Sequence, residues 1–226
     1  YEHKPNAALE QQMIDLRIRA FRESSWPTPA LAWPHNHPAL PSQGSNFPEI
    51  TPASLSAETL RSGIRGNGGL IVRGLMNKNI VAQMRDNIDR TLQARARAGA
   101  EPRDALDKSW YSRSNQVAGQ PAQFFAPDGE EKPQASASVW TVDSPRTAYE
   151  LIQFYHDIKL PGLLQEYFSE PAALSVKKWV LRRVAPDNGS ESGWHQDGRF
   201  LGDDIRTVNM WIALTDCGGT ATSPGI

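Results

Sequence analysis

Near the end of the chain, Gly193-Trp194-His195-Gln196-Asp197-Gly198 places an imidazole and a carboxylate two residues apart. On an extended backbone, side chains i and i+2 project to the same side, so His195 and Asp197 offer a nitrogen and an oxygen to one ion. A second histidine from elsewhere completes a two-His-one-carboxylate facial triad, a donor set that leaves three positions of an octahedral iron(II) open. Those positions accommodate a bidentate cosubstrate and dioxygen. Taken alone, the triplet is better read as a loop histidine beside a solvated aspartate.

The flanking segments give the triplet its setting. Leu174 to Val184 (LSVKKWVLRRV) reads as a strand of nearly two-sided character, and Pro186-Asp187-Asn188-Gly189-Ser190 reads as a turn. Arg206 to Leu214 alternates: Val208, Met210, Ile212 and Leu214 point one way, and Thr207, Asn209, Trp211 and Ala213 point the other. A sheet shows that pattern when one side packs on helices and the other lines a cavity. Strand, turn, His-x-Asp, loop and strand together are the local layout of a barrel-type metal pocket.

Trp194-His195-Gln196-Asp197-Gly198, followed by Arg206-Thr-Val-Asn-Met-Trp211-Ile-Ala-Leu-Thr-Asp-Cys-Gly218, resembles the phytanoyl-CoA dioxygenase family of iron(II)/2-oxoglutarate oxygenases. Gly68-Gly69-Leu-Ile-Val-Arg-Gly-Leu75 and the helix after Asn77 are similar to the start of that family's domain, so the likeness spans roughly residues 55 to 226. The first fifty residues find no counterpart.

The resemblance implies an α+β fold with a mainly β core: a double-stranded β-helix, or cupin-like jelly roll, with helices packed on its major sheet. It implies that His195 and Asp197 are the first two iron ligands and the catalytic pair. Trp211 matches a strand tryptophan that borders 2-oxoglutarate in the family, and Asn209 lies on the same side. The strand before the motif also touches the cosubstrate in similar enzymes. Trp179 and Arg183, four apart and therefore on one face, are its candidates, with a packed ring and a surface cation as the competing reading.

The implied cofactors are Fe(II), 2-oxoglutarate as cosubstrate, and dioxygen, with a small-molecule substrate hydroxylated as succinate and CO2 leave. The family carries a distal histidine, and beyond it a basic residue, some tens of residues after the position of Asp197. Here the other histidines, His3, His35, His37 and His156, all precede the motif. A chain cut before its barrel closes is the expectation, together with the unfinished ending at Thr220-Ala-Thr-Ser-Pro-Gly-Ile226. A catalytically inactive ligand-binding or scaffolding relative on the same fold is the alternative.

Composition agrees with a small-molecule enzyme. The 226 residues carry 24 Lys+Arg against 25 Asp+Glu, for a formal net charge of −1. That balance argues against a nucleic-acid partner, which selects for a basic surplus. Cys217, the single cysteine, excludes an internal disulfide framework and fits a reducing, cytoplasmic setting. No stretch approaches the roughly 20 apolar residues needed to span a membrane. No residue separates one small-molecule substrate from another or indicates an oligomeric state.

The rest of the chain divides at about residue 54. Residues 1 to 54 read as an amphipathic helix over 7 to 22 plus a Pro-rich wrapping segment, in which His35 and His37 are loop histidines. Residues 55 to 226 read as the oxygenase domain. In it, a helix-like stretch runs from Ser54 to Arg65, a strand from Leu70 to Leu75, and a helix from Lys78 to Ala98 capped by Asn77. Gly99 to Pro145 reads as a long loop and candidate substrate lid bearing Trp110, Tyr111, Phe124 and Phe125. Helices from Thr147 to Ile158, with His156 solvated on its surface, and from Pro161 to Phe168 follow.

Overall fold

The computed structural model describes residues 7–23, 37–42, 47–98, 104–113, 137–175, 179–184 and 206–217. The chain forms two compact units, one of residues 1–15, 82–148 and 176–226, the other of residues 16–81 and 149–175. The first helix, α1 (Ala7–Glu23), starts where expected and runs one residue past the predicted end at 22. No helix among the described residues is long and apolar enough to cross a membrane.

The unit of residues 16–81 and 149–175 is built on a short parallel ladder. Strand β1 (Glu49–Ile50) pairs with β2 (Ile71–Val72), with Ile71 N–H donating to Pro48 O (2.9 Å) and Arg73 N–H to Ile50 O (2.8 Å). The predicted strand from Leu70 to Leu75 is this short because Gly74 takes a left-handed conformation (φ 74) that turns the chain away. Helix α2 (Ala57–Arg61) starts from Ser56, which exchanges reciprocal capping hydrogen bonds with Thr59. One π-turn, Ser62–Gly66, ends the helical stretch.

The Pro-rich segment is clipped to that turn. Asn67 accepts from Leu40 N–H (2.8 Å) and donates to Leu40 O (3.1 Å), imitating a strand partner. Close approach beside it demands glycine at 66, where a Cβ would lie 2.5 Å from Ala39 Cα. Helix α6 (Leu160–Phe168) ends with its carbonyls held by Arg61, whose guanidinium donates to Tyr167 O (3.1 and 2.9 Å) and to Glu166 O. A cation at the last turn of a helix satisfies acceptors that have no partner within it.

In the other unit, α3 (Lys78–Ala96) supplies the buried Met84 and Leu92. The loop reading of Gly99 to Pro145 needs two additions, helix α4 (Ala105–Trp110) and strand β3 (Ala137–Trp140). Asp104 caps α4 by accepting from Asp107 N–H (2.7 Å), and Arg97 grips both Asp107 carboxylate oxygens (3.0 and 2.6 Å). The guanidiniums of Arg90 and Arg146 both lie over the ring of buried Trp110, at 5.3 and 5.4 Å from its centroid. Ser112 N–H donates to Asp143 O (2.8 Å), so the two ends of the stretch between them meet.

Helix α5 (Pro145–Asp157) begins two residues before the expected Thr147, with Pro145 in its first turn. Thr91, Ser144 and Thr147 are fully buried and bond to one another at 2.8 to 3.3 Å, while Thr91 also donates to Asn87 O (2.7 Å). Strand β4 (Val180–Arg183) runs antiparallel to β3.

The described core departs from the expected mainly β core. The buried apolar side chains of one unit include Met84, Leu92 and Ala94 of α3 with Ala137, Val139 and Leu181 of the β3–β4 ladder, and those of the other lie chiefly on α5 and α6. Two two-stranded sheets and no closed barrel are present among the described residues. Of the strand predicted over Leu174 to Val184, the ladder takes only Val180–Arg183, and residues 206–213 are outside any ladder among the described residues.

Candidate active site

His195 and Asp197 lie outside the described residues, as do the turn at 186–190 and the loop aromatics Phe124 and Phe125. What can be built is the frame on either side: the β3–β4 ladder before the motif and residues 206–217 after it.

Register decides the faces of the ladder. Ala137 stands opposite Arg183, Ser138 opposite Arg182, Val139 opposite Leu181, and Trp140 opposite Val180. Because side chains alternate along a strand, Ala137, Val139, Leu181 and Arg183 share one face, and Ser138, Trp140, Val180 and Arg182 share the other. The first face is the covered one. Ala137, Val139 and Leu92 of α3 form a core cluster, with Ile88 and Tyr111 packed against it. Arg183 reaches the same helix, its Nη1 lying 3.7 Å from Asp89 Oδ1.

Trp179 continues that face from just outside β4. It is half-buried, and its carbonyl accepts the Thr141 N–H at 2.8 Å. The structure therefore brings Trp179 and Arg183 to one side, as their spacing predicts, and that side is the one turned to α3.

Residues 206–217 preserve the predicted alternation. Val208, Ile212 and Leu214 are half-buried, whereas Thr207, Asn209, Trp211 and Ala213 are exposed, Trp211 by 52%. Met210 departs from its apolar neighbours at 38% exposure. Asn209 and Trp211 thus share the open side of an extended segment. Cys217 closes the turn after it by donating from Sγ to Thr215 O (3.2 Å).

Among the described residues, no three His, Cys, Asp or Glu side chains gather in a way that would hold a metal. His156 is exposed on α5, as expected. An open hollow of about 510 Å³ lined by Gln165, Glu166, Ser169 and Glu170 belongs to the other unit and holds none of the candidates. Two adjacent arginines carry no mark of which one faces the helix, and that phase is set only by pairing with β3.

Residues 64–225 match the family described as phytanoyl-CoA dioxygenase (PhyH), and the chain belongs to that family. Its members have a cupin-type jelly-roll fold, are typically oxygenases, and generally use Fe(II) and 2-oxoglutarate. No curated protein and no solved structure matches the chain.

Proposed function

We propose that the protein is an Fe(II)- and 2-oxoglutarate-dependent dioxygenase that hydroxylates a small-molecule substrate with release of succinate and CO2. The observation carrying this reading is the family match over residues 64–225, which includes the Trp194-to-Gly198 motif. Residues 55–226 are the oxygenase part, folded as a double-stranded β-helix, and residues 1–54 are an extension of it.

An imidazole and a carboxylate at i and i+2 are a donor set suited to Fe(II), and in this reading His195 and Asp197 hold it. The chemistry such a centre supplies is dioxygen activation with 2-oxoglutarate as reductant, one oxygen atom going to succinate and the other to a C–H bond of the substrate. The chain's own part is binding, orientation and exclusion of water. Asn209 and Trp211, exposed together on one side of residues 206–214, border the cosubstrate. The amide offers hydrogen bonds to a carboxylate, and the indole shields it from solvent. Trp179 and Arg183 are the remaining cosubstrate candidates, from the strand before the motif; the face they share is the one on which Arg183 meets Asp89 of α3.

The test is Fe(II) binding and succinate formation from 2-oxoglutarate in the full-length protein. His195→Ala and Asp197→Ala should each abolish both. Turnover of 2-oxoglutarate that survives either substitution removes that residue from the ligand set, and a wild-type protein that makes no succinate with any iron loading overturns the reading.

A further inference from the structure

Asn67-Gly68 and Asn188-Gly189 are the two places where this chain sets asparagine directly before glycine. In such a pair no Cβ shields the following backbone nitrogen, which can attack the asparagine side-chain amide. At 67–68, the Gly68 nitrogen gives up its proton and bonds to Asn67 Cγ, the Cγ–Nδ2 bond breaks, and ammonia leaves. Water then opens the five-membered imide to an aspartyl or isoaspartyl residue. Asn188 lies outside the described residues, but the fold itself demands the pair at 67–68. Gly68 has a φ of 83, in the left-handed region, and Asn67 accepts from Leu40 N–H (2.8 Å) while donating to Leu40 O (3.1 Å).

The folded turn holds each participant in this reaction apart. Gly68 N–H is engaged with Ile64 O (3.1 Å). Asn67 has a ψ of −7, which aligns the Gly68 nitrogen with Asn67's own backbone nitrogen, about a third of a turn around the Cα–C bond from the side chain it must reach. That side chain is fixed by its two bonds to Leu40. Ala39 backs against Gly66, so the segment that fixes the amide also braces the turn. Asn67 and Leu40 are half-buried and Gly68 is exposed, so water reaches the turn. The clip joins the start of the family match, at residue 64, to chain that precedes it.

We propose that Asn67 is a deamidation site gated by this clip: ammonia is lost only while residues 37–42 stand away from the turn, and its loss makes that separation permanent. A reaction confined to a locally open state proceeds in proportion to the open fraction. The products cannot restore the clip. A carboxylate at 67 has no N–H for Leu40 O and sets a negative charge against that carbonyl. An isoaspartyl residue adds a methylene to the backbone beside Gly66, where Ala39 leaves no room even for a Cβ. The reaction draws only on solvent water, so the proposal is independent of the oxygenase reading.

The experiment holds the full-length protein at mildly alkaline pH and follows, by mass spectrometry, the tryptic peptide of residues 66–73 that Arg65 and Arg73 define. The folded protein should lose the Asn67 amide at least tenfold more slowly than the same protein unfolded in urea. Below the unfolding transition, urea should raise that rate in step with hydrogen exchange of the Leu40 amide. Leu40→Pro, which removes the N–H that Asn67 accepts, should raise it several-fold, and Asn67→Asp should speed amide exchange across residues 39–42 at least tenfold. Equal rates in the folded and unfolded protein overturn the proposal, as does a folded Leu40→Pro protein that deamidates like the wild type. If Leu40→Pro does not fold, the wild-type urea series decides, and a rate that tracks global unfolding instead of the Leu40 amide overturns the proposal. An Asn67→Asp protein with wild-type exchange across residues 39–42 overturns it as well.

Discussion

Arg183 on β4 meets Asp89 on α3 at 3.7 Å, and this contact shares a strand face with Leu181, which is 6% exposed. The two hold the sheet to the helix with very different strength. The ion pair is long and its carboxylate is more than half exposed, so it contributes less than about 1 kcal/mol. Truncating a buried leucine costs about 2 to 5 kcal/mol. Urea unfolding should therefore separate Leu181→Ala, strongly destabilised, from Asp89→Asn, nearly unchanged. Equal losses would mean that the ion pair, rather than the apolar contact, holds β4 in place.

Two buried threonines should respond in opposite ways to the same substitution. Thr141 is fully buried and its hydroxyl oxygen has no hydrogen-bond partner, whereas Thr91 serves Asn87 O, Ser144 and Thr147. Thr141→Val removes an unsatisfied polar atom and should be neutral or stabilising by up to about 1 kcal/mol. Thr91→Val strands its partners and should cost about 1 to 3 kcal/mol. Thermal melts of the two variants check the contrast.

Glycines 66 and 162 make a second opposed pair. A Cβ at Gly66 meets backbone atoms of Ala39 at 2.5 and 2.8 Å, while one at Gly162 meets nothing within 4 Å. Gly66→Ala should destabilise by about 1 to 3 kcal/mol, since backbone cannot swing aside as a side chain can. Gly162→Ala, inside α6, should stabilise by about 0.5 to 1 kcal/mol through helix propensity. A stable Gly66→Ala protein would show that the Pro-rich segment does not lie against that turn.

Acid should loosen the clasp between β1 and β2. The hydrogen bonds from Arg73 hold the Glu49 carboxyl below its ordinary value of 4.5. A carboxyl lowered in the folded state contributes its interaction fully above the ordinary value, and loses it as pH falls through the lowered one. NMR titration of the Glu49 side chain should show the depressed midpoint, and Arg73→Gln should return it to the ordinary range. Because the pair is exposed, added salt should move it the same way.

The helices were legible where periodicity and caps coincided. Asn77 accepts from Ile80 N–H at 3.0 Å and starts α3 where the sequence places it, whereas α5 begins at Pro145, two residues before the expected Thr147. Helix α4 was not read from the sequence: Asp104 caps it, but the turn residues around it hid a helix only six residues long. Strand β3 was hidden more deeply. Ala137-Ser138-Val139-Trp140 has little intrinsic strand character, and its alternation acquires meaning only against Leu92 and Leu181.

By itself, the sequence determined the chemistry on offer: an imidazole and a carboxylate two apart, an alternating segment with Asn209 and Trp211 on its open side, and membership of an oxygenase family. Those are properties of residue type and spacing. Tertiary structure alone decided the phase of β4, sending Arg183 to the helix and Arg182 to the opposite face. Neighbouring arginines are identical in composition and propensity, and a shift of one residue in register exchanges their sides. Only the pairing of Leu181 with Val139, and the packing of Val139 with Leu92 of α3, chooses between them.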